Sequence, residues 1–244
     1  MSTDNSVLSV DNVTIGYNGK VIVSDINLQV PHGQTFGLIG LNGAGKTTII
    51  KTLVGLRSTD SGQVRIEGMD PLNPACKKNM CYLPERFDPP WFLTGLEFIK
   101  FSLSLYGVRF DVDKVYAMSD ELSLDHGVLK NKVQTYSKGM RQKLGLLANL
   151  LSECALIILD EPMSGLDPLA RLRVKDALVK AKESGRTAFL SSHILSDMDE
   201  ICDQVAVLHK GSIIFAGTPT ELRGLSKDDS LERAFMHVIE DKAA

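Results

Sequence analysis

The chain has 244 residues, 43% of them hydrophobic, enough for one packed domain or a domain with a subdomain. Lys and Arg total 27 and Asp and Glu total 30, a net charge of −3, so bulk electrostatics give no pull toward nucleic acid and no such partner is expected. No apolar run reaches the ~18 residues of a membrane span, and the N-terminal MSTDNSVLSV lacks the basic and apolar regions of a secretory signal. Cys76, Cys81, Cys154 and Cys202 show neither a CxxC pair nor metal-site spacing, which fits reduced thiols in a cytosolic protein.

Residues 7–30 read as antiparallel strands around the two-residue hairpin signal Tyr17-Asn18-Gly19-Lys20. Pro31-His32-Gly33 then turns the chain into Thr35–Ile39, a short buried strand. Gly40-Leu41-Asn42-Gly43-Ala44-Gly45-Lys46-Thr47-Thr48 follows and fits G-x-x-x-x-G-K-[ST] in full. Lys46–Leu56 reads as a helix with Ile49, Ile50, Leu53 and Val54 apolar. Strand, glycine-rich turn and helix are the setting a phosphate cradle needs. Glycines let backbone N–H groups curl toward an anion, and the helix N-terminus adds partial positive charge. Lys46 is placed to reach the β- and γ-phosphates of a nucleotide, and the Thr47 hydroxyl to ligate Mg²⁺. An ordinary glycine-rich βα turn is the competing reading; a Lys-Thr pair in register argues against it.

Asp60-Ser61-Gly62 turns into a strand at Gln63–Glu67, so the first part reads as a mixed sheet feeding the cradle helix. Beyond the breaker Asp88-Pro89-Pro90 the segment to about residue 150 is mostly helical, with Leu96–Leu105 and Lys114–Leu122 as candidates. From Tyr136 to Asp167 come a polar turn, an amphipathic helix, the apolar strand Ala155–Leu159 and the carboxylates Asp160 and Glu161. Asp160 is the expected second Mg²⁺ partner, and Glu161 can polarise an attacking water. Strands resume at Thr187–Ser191, Gln204–Leu208 and Ser212–Ala216. If Thr187–Ser191 neighbours Ala155–Leu159, His193 falls at the same sheet edge as Glu161. Thr218-Pro219-Thr220-Glu221 opens a helix with a capping box. A last helix, about Leu231–Ile239, carries the stripe Leu231, Phe235, Val238 and Ile239, expected to pack on the domain's own core.

These residues resemble, in order and over about residues 7–240, the nucleotide-binding ATPase subunit of ABC transporters. Tyr17 stands where that family stacks an aromatic ring on adenine. Gly40–Thr48, including Asn42, Gly43, Ala44, Gly45, Lys46, Thr47 and Thr48, matches its Walker A motif. Glu85, in Tyr82-Leu83-Pro84-Glu85, falls at its Q-loop, and Ser137-Lys138-Gly139-Met140 at its signature motif. Leu156–Glu161 is similar to Walker B, Ser164-Gly165-Leu166-Asp167 to the D-loop, and His193 to the switch histidine.

The resemblance implies a P-loop α/β fold: a mixed-sheet core with an antiparallel β subdomain (about 1–84 and 151–217), a helical subdomain (about 85–150) and C-terminal helices (218–244). It implies ATP and Mg²⁺ as ligands, with Glu161, His193 and Glu85 catalytic and Thr47, Asp160 and Glu85 at the metal. It further implies two subunits, identical or related, in a head-to-tail sandwich, where Ser137 and Gly139 of one close on ATP held by Lys46 of the other. An integral-membrane permease would bring the cytoplasmic pair to the inner face of the cell membrane.

Three positions depart from the family's common pattern. Glu85 replaces Gln and adds a negative charge, Lys138 replaces a glycine, and Met140 replaces Gln with the loss of a hydrogen-bonding group. Leu-Pro-Glu with Tyr-Ser-Lys-Gly-Met resembles bacterial ABC-2-type export ATPases. An importer ATPase and a soluble non-transport ABC ATPase are the alternatives, although the chain has one cassette and no sustained heptads. Phe87–Thr94, FDPPWFLT, holds the only Trp and reads equally as a permease-docking groove or as subdomain core.

Overall fold

Burial patterning separates the strands into two sheets. The computed structural model describes residues 6–226 and 230–241. Strands β1 (Ser6–Tyr17) and β2 (Lys20–Pro31) alternate buried and exposed positions, as sheets with one wet face do. Their turn places Asn18 at φ 50° and Gly19 at φ 77°, the left-handed pair a type I′ hairpin requires. Strand β3 (Thr35–Ile39) is buried at every position, and the cradle loop follows it into helix α1 (Lys46–Leu53). Strand β4 (Ser61–Ile66) returns to β1, giving an antiparallel sheet of order β2-β1-β4. The first part, which its residues alone suggest is one mixed sheet, is therefore divided, and the division is the antiparallel subdomain beside a mixed-sheet core that the family resemblance implies: β3, buried on both faces, belongs elsewhere.

It lies inside a second sheet. Strand β5 (Met80–Leu83) leads to helices α2 (Gly95–Leu105), α3 (Val112–Glu121), α4 (His126–Leu129) and α5 (Lys138–Leu151). Then come β6 (Leu156–Asp160), α6 (Pro168–Glu183), β7 (Thr187–Ser192), α7 (Leu195–Ile201), β8 (Gln204–His209) and β9 (Ser212–Gly217). The order is β5-β6-β7-β3-β8-β9, parallel except for the β8–β9 hairpin. Asp160 pairs in register with Ser191, so β6 and β7 are the neighbours that the His193 expectation required.

Helices α8 (Pro219–Arg223) and α9 (Leu231–Asp241) close the described chain. Thr218 and Glu221 form the expected capping box. Leu231, Phe235 and Ile239 are buried in the main core and Val238 packs against it, as expected. One core lies between the large sheet and the helices, the other between the two sheets and α1. The aromatic segment divides in two. Phe87 packs on the core, 5.7 Å edge-on to Phe98, whereas Trp91 and Phe92 are 66% and 56% exposed, which removes the core reading for both. No helix among the described residues is long and apolar enough to cross a membrane.

Candidate functional site

The candidate residues gather at the C-terminal ends of β3, β6 and β7, the edge where open α/β sheets collect ligands. Helix α1 begins at Lys46 with no side-chain cap, so its first N–H groups have no intrahelical acceptor and face an anion site. Its N-cap Gly45 has φ 113°, and a Cβ there would stand 2.5 Å from Val23 Cγ1. Only glycine meets both conditions. Asn42, Gly43, Gly45, Lys46, Thr47 and Thr48 line a cavity of about 290 Å³ whose wall also includes Glu85 and Glu161. Ala44 does not line this cavity: it is buried in the core between the sheets and its N–H closes the loop on Leu41 O at 3.1 Å.

At the end of β6, Asp160 is 1% exposed. Its Oδ2 accepts from Thr47 Oγ1 at 2.9 Å and its Oδ1 from Ser191 Oγ at 2.6 Å. Glu161 follows in the left-handed region at φ 50°, and its N–H donates to Ser191 Oγ at 3.1 Å. This turn aims the carboxylate back over the cradle. Glu161 Oε2 accepts from His193 Nδ1 at 2.8 Å, and Oε1 lies 3.2 Å from Lys46 Nζ. The Lys46 contact lacks hydrogen-bond geometry, so Oε1 is buried with no donor. Lys46 donates instead to Gly40 O at 2.7 Å. Tyr82 of β5 is pushed up to about 12, by burial first and Asp160 second, and remains a neutral neighbour.

The donor set is of the oxygen type that hard divalent cations take. Among the described residues no three His, Cys, Asp or Glu are placed to hold a metal ion together, so these residues form no all-protein cage. A hydroxyl and a carboxylate oxygen 2.9 Å apart beside an anion cradle match Mg²⁺, which takes one or two protein oxygens and completes its shell with water and phosphate.

Two expected groups lie outside this cavity. Tyr17 does not line it; its ring carries the Arg57 guanidinium, Cζ 3.7 Å from the centroid. Ser137 and Gly139 line a separate cavity of about 550 Å³ with Gly165, Leu166 and Asp167. Ser137 caps α5, accepting from Met140 N at 3.2 Å. Met140 Sδ in turn accepts the Ser137 N–H at 3.5 Å, so the thioether takes the side-chain place in a capping box at the start of α5. A Cβ on Gly139 would meet nothing nearer than Leu166 Cδ2 at 3.6 Å, so nothing within the chain demands glycine there. Lys138 is exposed and extends along Gly165.

Sequence reasoning missed Ser191, which serves the Asp160 carboxylate and the Glu161 backbone N–H, and Gln142, whose buried amide donates to Pro162 O at 3.2 Å just past Glu161. Ser191 had a signal, the Ser-Ser-His run, that becomes meaningful only with the β6–β7 register.

Fold and site together define a nucleotide-binding cassette, and a family model described as ABC transporter matches residues 23–164. The chain belongs to the ABC transporter family, as one of its ATP-binding cassettes. An uncharacterized ABC transporter ATP-binding protein of Synechocystis sp. is 39% identical over 202 residues, covering 82% of this chain and 57% of that protein. The bacitracin transport ATP-binding protein BcrA of Enterococcus faecalis is 35% identical over 218 residues, covering 85% of this chain and 68% of that protein. A solved ATP-binding subunit of an ABC transporter superposes with TM-score 0.87 at 30% identity, covering 96% of this chain and 99% of that one. The chain spans about three fifths of the length of the Synechocystis relative and of a second cyanobacterial one, 57% and 63%.

Proposed function

We propose that this chain hydrolyses ATP with Mg²⁺ as half of a head-to-tail pair, two identical copies being the simplest form, and so powers export through a separate membrane permease. The observation that carries this reading is Glu161: one carboxylate oxygen is oriented by His193, and the other is buried, short of a donor, beside Lys46. Once the ammonium is drawn off, that oxygen is placed to accept a proton from water. The N–H groups opening α1, with Lys46, bind and orient the polyphosphate, which draws the ammonium away from Glu161 and frees it as the base. His193 then holds the carboxylate in line. Thr47 and Asp160 would hold Mg²⁺, with Glu85 as a further oxygen donor, and the ion supplies charge neutralisation at the phosphates.

Ser137 and Gly139 sit apart from their own chain's cradle, which supports a role at the nucleotide of the second copy. Closure over ATP makes contacts that hydrolysis removes, so the pair cycles between closed and open states. The exposed Trp91 and Phe92, 5.7 Å apart and edge-to-face, offer an apolar seat for a permease helix, which would hold the pair at the inner face of the membrane. BcrA is by its name a bacitracin transport ATP-binding protein, which supports a transport role; export over import rests on the likeness of Leu-Pro-Glu and Tyr-Ser-Lys-Gly-Met to ABC-2-type export ATPases.

Glu161→Gln is the decisive test. ATP binding should persist and a closed pair accumulate, while turnover falls by ~10²–10⁴-fold, the usual contribution of a general base; wild-type turnover would overturn the assignment. Trp91→Asp should leave melting and ATPase unchanged and abolish co-purification with a membrane protein. Retained co-purification would remove the docking seat, and absence of any membrane partner from the wild type would favour a non-transport ATPase.

A further inference from the structure

Tyr17 ends β1 at the lip of a hairpin, where a ring 41% exposed would ordinarily swing freely. It is instead backed by a side chain from the loop that follows α1. The Arg57 guanidinium lies over one ring face, Cζ 3.7 Å from the centroid, and its Nη2 donates to Gly16 O, the carbonyl just before Tyr17. Asp60, three residues on, accepts the Gly16 N–H on Oδ2 at 2.7 Å, and its own N–H donates to Thr14 O at 2.9 Å. The loop after α1 therefore grips both polar groups of Gly16 as well as the next ring. The grip is close: a Cβ on Gly16 would stand 2.8 Å from Lys20 O and 3.2 Å from Asp60 Oδ2. Arg57 Nε is buried in this arrangement without an acceptor, a cost that a purely structural tether has no reason to carry.

We infer that Arg57 is a positioning residue for the nucleotide base: it fills one face of Tyr17 and holds the ring as a fixed platform whose other face receives a purine. The inference rests on the reading of Tyr17 as the adenine platform. Physically, the cation on one face fixes the ring plane, and the ordering entropy of the aromatic side chain is met before the ligand arrives. The same helix then serves both ends of the ligand. Its N-terminus forms the phosphate cradle, and the loop at its other end sets the base platform. A change at Arg57 should therefore alter affinity for the base and leave affinity for phosphate alone.

The test measures equilibrium binding of Mg-ATP and of inorganic tripolyphosphate with Mg²⁺ to the full chain. It compares wild type, Arg57→Gln, Arg57→Lys, Tyr17→Leu and the double variant Tyr17→Leu/Arg57→Gln, each shown by thermal melting to be folded. Arg57→Gln should weaken ATP by on the order of 3- to 10-fold, the cost of ordering one side chain on binding, with tripolyphosphate unchanged. Arg57→Lys should recover part of the loss. The double variant should bind ATP no more weakly than Tyr17→Leu alone. Equal losses for ATP and tripolyphosphate would overturn the inference, since Arg57 would then act through the cradle. So would additive losses in the double variant, or tighter ATP binding on removal of Arg57, as if it had been blocking the ring. If Tyr17→Leu itself leaves ATP affinity intact, the platform reading fails first; if Tyr17→Leu weakens ATP and Arg57→Gln does not, only the inference about Arg57 fails.

Discussion

Ser191 stands between two carboxylate residues: its hydroxyl donates to Asp160 Oδ1 at 2.6 Å and receives the Glu161 N–H at 3.1 Å. One hydroxyl thus fixes both the aspartate beside Thr47 and the backbone turn that aims Glu161. Ser191→Ala leaves a buried N–H without an acceptor and a buried carboxylate one donor short. The expected loss of stability is about 1–3 kcal/mol, read by urea denaturation, together with a higher Mg²⁺ requirement for ATPase. A variant as stable as wild type, with an unchanged Mg²⁺ dependence, would show that Ser191 only fills space.

Gly45 and Gly139 stand in motifs of similar appearance and answer to different constraints. Gly45 has φ 113° and no room for a Cβ, whereas Gly139 has ordinary space around it. Gly45→Ala should abolish ATP binding by a single chain. Gly139→Ala should leave folding and single-chain ATP binding intact, yet lower ATPase at least tenfold by crowding the second copy's nucleotide. Binding isotherms beside turnover distinguish the two. Full ATPase in Gly139→Ala would argue that nothing approaches this residue in the closed pair.

The cradle was legible because its constraint is local. Glycines, Lys46 and Thr47 must stand at fixed spacing between a strand and a helix, and the observed Thr35–Ile39 and Lys46–Leu53 differ from expectation only in the last residues of the helix. The hairpin at Asn18-Gly19 was legible for the same reason. Strand β5 was not, since four residues, three buried and Tyr82 half-buried, carry no alternation. Helix α6 was missed because Arg and Lys surround its small apolar face. The assignment of β3 to the second sheet, the double contact of Ser191 with the Asp160 carboxylate and the Glu161 N–H, and the seat of Arg57 on Tyr17 depend on which strands and loops become neighbours. Pairing over such sequence separations leaves no periodic trace in a single chain. The exposure of Trp91 and Phe92 belongs with these: composition alone left core and surface equally open, and packing of Phe87 against Phe98 decided it.

Arg171 and Asp197 carry the last prediction. Helix α6 starts directly after Asp167, which caps it by accepting from Ala170 N at 2.9 Å, and α7 starts two residues after His193. The two helices are joined where Asp197 Oδ2 accepts from Arg171 Nε at 3.1 Å and Nη2 at 2.6 Å. Lys175 Nζ lies 3.7 Å from the other oxygen. The Asp197 side chain is 3% exposed and that of Arg171 26%, so removal of the arginine strands a buried charge while part of the loss is screened by solvent. Arg171→Ala should therefore destabilise the chain at the low end of the ~3–5 kcal/mol typical of a broken buried pair. Asp197→Asn, which keeps a hydrogen-bond acceptor and loses the charge, should cost less. Because the pair also fixes the loop carrying His193 against the helix that follows Asp167, Arg171→Ala should lower kcat while the affinity for ATP stays near wild type. Denaturation and steady-state kinetics on the same preparations decide the matter. A stability loss with unchanged kcat would confine the pair to holding the fold, and a stability equal to wild type would show that Lys175 alone suffices to neutralise Asp197.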